Sequence, residues 1–371
     1  RIGIMNLQTA KDASITRPGY NYSIIAVQRQ LFERSNISLI AINKQATNIL
    51  KSDSTLGDGI SKGNFNRLVG VDYNLASADN QWYGKLFYHK SISPNNNNNA
   101  YSHGINLVYN VPAINIEWNH QVVGKNFNPE VGFAPRTDYN LLAPGVQFLF
   151  YPKSDIANHG PGIKTEYIWN KQYGKTDHQS LFFYEINFGS SATLEGGIRN
   201  DYTYLFNDFN PVNSEGSPLP EGTDYTYTSL VAEYRSDRRK DFYFDLETQI
   251  GQFYNGNVFS LSGDLNYRYG LLGVATLNFS YNKVSLPKPH SSGTILLIGP
   301  RFDITFTKSI FLTTFFQYNN QIDNININAR LQYRYKPVSD FFLVYTENYF
   351  SDHFKSKNRA LIAKLTYWFN L

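Results

Sequence analysis

Polar and apolar residues alternate along almost the whole chain. In NININARLQYRY, Ile325, Ile327, Ala329, Leu331, Tyr333 and Tyr335 share one phase, while Asn324, Asn326, Asn328, Arg330, Gln332 and Arg334 share the other. VFSLSGDLNYRY repeats the pattern, with Phe259, Leu261, Gly263, Leu265, Tyr267 and Tyr269 set against Ser260, Ser262, Asp264, Asn266 and Arg268. FYFDLETQI and INIEWNHQV read the same way. Successive side chains of a strand point to opposite faces, so each run predicts a strand with one apolar and one polar face. Helical periodicity is nearly absent.

Marking every such run predicts about twenty strands of roughly 9–13 residues, the length a tilted strand needs to cross a bilayer. Among them are strands over 162–173 and 179–188 and a final one over 359–370. The connections alternate as well. Those after even-numbered strands are mostly tight (ERSN, SADN, NVP, GSS, TK), and those after odd-numbered strands are often long (ATNILKSDSTLGDGISKGN, SISPNNNNN, NDFNPVNSEGSPLPEGT). Two run against the rule: YPKSDIANHGPG is long on the short rim, and YNGN is short on the long rim. Short turns on one rim and long loops on the other are the pattern of an outer-membrane barrel, with turns periplasmic and loops extracellular.

The expected fold is therefore all-β: a single transmembrane antiparallel β-barrel domain of about 20 strands spanning 1–371. A propeller should show a blade repeat of about 40–50 residues, and none is visible. A soluble sandwich should have strands of about 5–6 residues. Tyr109, Tyr267, Tyr269, Tyr333, Tyr335, Tyr367 and Phe369 end strands in the apolar phase and are expected to form a lipid-facing aromatic girdle.

Composition agrees: 16% of residues are aromatic, yet only 42% are hydrophobic, as suits strands that are polar at every second position. There is no cysteine, which removes disulfides and thiolate metal sites. A net charge of +4 with no long basic tract gives no reason to expect a nucleic-acid partner. The chain opens on RIGIMNLQTA, already strand-like, so a signal peptide and an N-terminal domain are expected to be absent from it.

If the apolar phase meets lipid, the polar phase lines a lumen, and Glu117, Lys164, Asp245, Glu247, Arg268, Arg330, Arg334 and Lys364 are candidate lumen residues. Two readings stand for them: charge steering in a pore, or acid–base bracing between strands. Enzymatic chemistry finds little support. The seven histidines show no nucleophile–base pattern, and Asp245 with Glu247 at i, i+2 reads as solvated wall before glycoside chemistry. No metal-ligand spacing, phosphate loop or dinucleotide fingerprint appears, so no catalytic residue, metal or cofactor is expected. The run Asn95 to Asn99 reads as a flexible loop tip.

One connection is unlike the others. Residues 122–140, VVGKNFNPEVGFAPRTDYN, carry apolar anchors at Phe127, Val131 and Phe133, stiffening prolines at Pro129 and Pro135, and Gly132 for a positive φ. Arg136 is expected to pair with Glu130 or Asp138. Together with Asn126, these residues predict a structured extracellular lid or constriction at the barrel mouth. Loss of Arg136 should disturb it most.

This loop, N-F-N-P-E-V-G-F-x-P-R-T-D-Y, together with the opening RIGIMNLQT and the ending KLTYWFN, resembles a family of outer-membrane proteins of Bacteroidota-type Gram-negative bacteria with no established activity. In that family a domain similar to family 9 carbohydrate-binding modules precedes a C-terminal barrel. The resemblance implies that this chain is the barrel portion, that any further strands would lie N-terminal to it and raise the count above twenty, and that it resides in the outer membrane. The function expected is transport or binding of an oligosaccharide or similar nutrient. The alternatives are a scaffold or anchoring subunit with a periplasmic or surface protein partner and, behind it, a surface glycan hydrolase. Outer-membrane lipid is the remaining expected partner.

Overall fold

The computed structural model describes residues 1–12, 18–47, 64–94 and 97–369. The long connection over 48–63 and the residues Asn95 and Asn96 lie outside the described residues. Twenty strands belong to one sheet. They are β1 (Ile2–Gln8), β2 (Gly19–Leu31), β3 (Ser35–Thr47), β4 (Phe65–Ala76), β5 (Trp82–Ile92), β6 (Tyr101–Val111), β7 (Ile114–Val123), β8 (Tyr139–Phe148), β9 (Ile156–Asn170) and β10 (Gly174–Phe188). They continue as β11 (Thr193–Tyr204), β12 (Asp224–Arg235), β13 (Phe242–Phe253), β14 (Gly256–Arg268), β15 (Gly273–Ser285), β16 (Gly293–Thr307), β17 (Ile310–Asn319), β18 (Asn324–Lys336), β19 (Ser339–Phe350) and β20 (Ser356–Leu365). The chain divides into two compact units, Arg1–Leu149 with Gly162–Ser180, and Phe150–Pro161 with Leu181–Leu371.

Several predicted boundaries move. The ninth and tenth strands meet at a tight turn over 171–173, because Asn170 Oδ1 accepts from the backbone N–H of Gln172 (3.0 Å) and Tyr173 (2.8 Å) and Gly174 takes φ 69°. The ninth strand also starts earlier, at Ile156. The last strand ends at Leu365 rather than running to 370, although Thr366 still exchanges backbone hydrogen bonds with Asp340 (2.8 and 3.1 Å).

In the first unit, each of β1 to β8 pairs antiparallel with the next. One face carries Leu39, Val69, Tyr88 and Trp118, and these remain well exposed, Leu39 at 57%. The opposite face carries Asp72, Lys85, His89, Gln121 and Glu117. It also carries Ile40, Ile42, Leu68 and Val123, so the simple polar-in, apolar-out division fails at this place. The apolar residues there are covered by the 124–138 segment.

In the second unit β11 to β20 pair in sequence order. The register separates the phases cleanly: Phe242 faces Tyr267, Phe244 faces Leu265 and Ile250 faces Phe259, while Asp245 faces Asp264 and Gln249 faces Ser260. An apolar face left open to this extent, with Ile250 at 50% exposure and Leu230 at 60%, requires an apolar medium outside it. Within this unit the connection over 205–223 is packed. Leu219, fully buried, exchanges backbone hydrogen bonds with Phe209 (2.8 and 2.9 Å) and sits in a core with Leu205, Val212, Val258, Val284 and Leu286.

Turn chemistry closes the hairpins. In the β12–β13 turn, Asp237 accepts from Arg239 Nε (2.9 Å), Nη2 (3.1 Å) and backbone N–H (3.0 Å). The Arg239 side chain and backbone donors hold the Asp237 carboxyl down at about 2. A depressed carboxyl stabilises the turn above its ordinary value of 3.8, and the contribution is lost as pH falls through about 2. Carboxyl-carbon NMR of the detergent-solubilised protein should therefore give Asp237 a midpoint about 2; a midpoint near the ordinary value would show the turn to be open.

Candidate binding site

The site is built on the polar-bearing face of β3 to β8 and roofed by residues 124–138. Phe127 is the anchor: 8% exposed, it packs with Leu68 and Val123, against Ile40, Ile42, Ala134 and Tyr139. Polar pins fix the backbone around it. Asn66, fully buried, donates from Nδ2 to Asn128 O (2.8 Å) and accepts at Oδ1 from Glu130 N–H (3.2 Å). Asn128 N–H donates to Ser91 Oγ (3.0 Å), and Lys44 Nζ lies 2.6 Å from Glu130 Oε2. Asn126 ties the segment to the β5–β6 connection through Asn98 O (2.7 Å) and Asn99 O (3.1 Å). Within the asparagine run, Asn97 likewise accepts from Ser93 N–H (2.8 Å), so its described part is held rather than loose.

Several expectations for this segment change. Arg136 pairs with Asp177 of β10 (2.5 Å) and donates to the buried Thr176 Oγ1 (2.9 Å), while Glu130 is held by Lys44. Gly132 has no positive φ; it closes a turn by donating to Pro129 O (2.8 Å), and the left-handed residue is Asp138, φ 62°. Phe133 is no anchor, being 87% exposed, and Val131 is partly exposed. Pro129 and Pro135 both border the cavity below.

That cavity has a volume of about 380 Å³ and lies between the segment and the sheet. Apolar and aromatic groups, among them Ile42, Leu68, Phe87, Tyr139 and Phe133, supply most of its surface. Its polar groups include Lys85, His89, Asn66, Gln121 and Arg136. Beside it, Asp72 lies opposite Phe87 in the strand register, with Lys85 and His89 on either side. Asp72 Oδ1 is 2.9 Å from His89 Nε2, and Oδ2 is 3.3 Å from Lys85 Nζ. Two glycines make room for the rings. A Cβ at Gly70 would meet His89 Cδ2 at 2.4 Å, and one at Gly104 would meet Phe87 Cε1 at 2.8 Å. Sequence reading missed this trio although the β4–β5 hairpin register, countable from the Ser77–Gln81 turn, would have delivered it.

The Arg136 contacts are charge-assisted but about one third exposed, so Arg136→Ala should cost about 1–2 kcal/mol of segment anchoring. Arg136→Lys should recover part of this, since an ammonium replaces the charge and not the fork. A double-mutant cycle with Asp177→Asn checks it: additive losses would exclude the coupling.

By strand register the candidate lumen residues lie on the face opposite the exposed apolar one. Glu117, Gly145 and Lys164 are register neighbours, and a Cβ at Gly145 would touch both side chains. Asp245 is bound by Arg238 (2.5 Å), Arg334 by Asp340 (3.1 Å), and Arg268 lies 5.4 Å over the Tyr243 ring. Arg330 faces Thr313 and Lys364 faces Phe342. These pairs favour bracing for Asp245 and Arg334. The register also brings together what sequence alone did not: Glu195, Glu233 and Glu247 abreast on β11, β12 and β13. Of the girdle, Tyr267, Tyr333, Tyr367 and Phe369 are exposed, and Tyr109 packs on Trp82 (4.7 Å). Tyr335 donates to Thr366 O (2.9 Å). Tyr269 leaves its strand: it lies in the β14–β15 turn and donates to Asp303 O (3.1 Å).

No family model matches the chain, and no curated protein matches it. Among solved structures it is similar to the siderophore receptor PirA from Pseudomonas aeruginosa, with a TM-score of 0.53 at 11% identity, covering 98% of this chain and 71% of that one. It is also similar to the copper transporter OprC, with a TM-score of 0.52 at 10% identity and 98% and 70% coverage. The fold is that of an outer-membrane β-barrel. In a barrel of this kind the exposed apolar face is the one turned to lipid and the opposite face, here the cavity-bearing one, is turned to the lumen.

Proposed function

We propose that the protein is an outer-membrane uptake barrel that binds an oligosaccharide or similar nutrient in the cavity beneath the 124–138 segment. The observation that carries this is the cavity itself. Its volume falls in the range of small-molecule sites, about 300–1,000 Å³, and it combines aromatic faces with a few convergent polar groups. Phe87, Tyr139 and Phe133 offer flat apolar faces to sugar rings, and Lys85, His89 and Gln121 offer hydrogen bonds to hydroxyls. Likeness to barrels that serve as a siderophore receptor and a copper transporter supports uptake as the class of activity. The cargo class rests on the cavity chemistry. The 124–138 segment acts as its lid, on the long-loop and extracellular side.

Purified protein in liposomes tests the reading. Swelling with a panel of neutral oligosaccharides should show entry, and isothermal titration should show binding that Phe87→Ala weakens about tenfold, the value of one aromatic contact. A lumen closed to ions and sugars overturns uptake, and a co-purifying polypeptide seated on the lumenal face would support the scaffold reading.

A further inference from the structure

The lipid-facing side of β4 to β7 carries a group of residues that neither cavity nor uptake uses. Along this face β4 presents Arg67, Val69 and Val71, β5 presents Leu86, Tyr88 and Lys90, β6 presents Tyr101, His103 and Ile105, and β7 presents Trp118, His120 and Val122. Register sets Lys90 between Val69 and Tyr101, Tyr88 beside His103, and His120 beside Ile105. The rings form one stack: Tyr88 to Tyr101 at 6.4 Å and 13°, Tyr101 to His103 at 5.8 Å and 15°, with His120 edge-on to His103 at 6.2 Å. Arg67 is exposed, with its guanidinium 4.5 Å over Phe65 and its Nε donating to Asn43 Oδ1 (3.0 Å).

Charge on this face is one-sided in two senses. Among the described residues of β4 to β8, its alternate positions hold no aspartate or glutamate. The bases Arg67, Lys90, His103 and His120 all lie toward the strand ends that lead into the long connections, whereas the short-turn ends carry only uncharged side chains, among them Trp82 and Tyr109. Aromatic rings belong at either boundary of a bilayer. Cations gathered at a single boundary, with no acid beside them among the described residues of this face, complement an anionic headgroup there. Guanidinium and ammonium groups are the usual ligands of phosphate oxygens, and imidazole and phenol add further donors.

We infer that this collar of Arg67, Lys90, His103 and His120, with Tyr88 and Tyr101, binds the phosphorylated headgroup of a lipid in the outer leaflet. The inference rests on the lipid-facing assignment of this face and is independent of what the cavity carries. Native mass spectrometry of the full chain in detergent tests it, using lipid A with both phosphates, lipid A of the same acyl chains after dephosphorylation, and inorganic phosphate. The bis-phosphorylated lipid should be retained at least tenfold more tightly than its dephosphorylated form. Arg67→Ala with Lys90→Ala should lose about 25-fold, at about fivefold for each basic residue next to an anionic lipid surface. Arg67→Lys with Lys90→Arg should retain the lipid, and heat-modifiable gel mobility should show all variants folded. Equal retention of the two lipids, unchanged retention by the double alanine variant, or displacement of the lipid by equimolar inorganic phosphate would overturn the proposal.

Discussion

Phe127→Ala is expected to release the roof of the cavity while leaving the barrel intact. The ring is 8% exposed and fills the space between Leu68, Val123 and Tyr139, so its removal costs transfer energy and leaves a void, about 3 kcal/mol in all. That loss falls on a segment whose remaining ties are a few hydrogen bonds and two ion pairs, and it appears as local opening. Hydrogen exchange should therefore rise roughly 150-fold at the amides of Asn128 and Glu130, which bond to Ser91 and Asn66. Strand amides of β5 to β8 should keep their protection. Unchanged exchange at Asn128 would mean that the polar pins alone hold the segment.

The second large effect is expected in the other unit. Leu219 is wholly buried, and Leu219→Ala should cost about 3 kcal/mol because Val258 and Val284, held on strands β14 and β15, cannot collapse onto the vacancy. The Phe209–Leu219 bridge would open, and limited proteolysis should cut within 205–223 at a rate far above that of the parent protein. The heat-modifiable gel shift of the barrel should persist. Resistance equal to the parent would show that the connection owes its order to the paired Ser217–Pro289 and His290 contacts instead.

How much of this could be read from the residues differs from place to place. The strands were legible because two media face them: in β18 every second residue from Ile325 to Tyr335 is apolar or aromatic, and no other element satisfies that period. The β9–β10 turn was not, because Trp169 and Tyr173 stand in one phase with Lys171 the single interruption, while the deciding signal, Asn170 followed by Gly174, is turn chemistry. The segment over 124–138 was legible as a structured one from Phe127 and its prolines. Its ion pairs were not, since Asp177 and Lys44 are brought to Arg136 and Glu130 only by strand pairing across long sequence separations. The cavity had a signal that went unused. LIAI in β3 and LVGV in β4 are apolar in both phases, which a strand between lipid and water has no reason to be unless something apolar covers its lumenal face.

The central claim is that the 124–138 segment controls access to the lumenal cavity. The chain has no cysteine, so Lys44→Cys with Glu130→Cys places the only thiols at the ion pair that ties the segment to β3. Oligosaccharide entry into liposomes bearing this variant, measured before and after bridging by a short bis-maleimide, tests the claim directly. Entry should fall by an order of magnitude on bridging, while the singly substituted variants treated alike should keep their rate. Unchanged entry through the bridged barrel would contradict it.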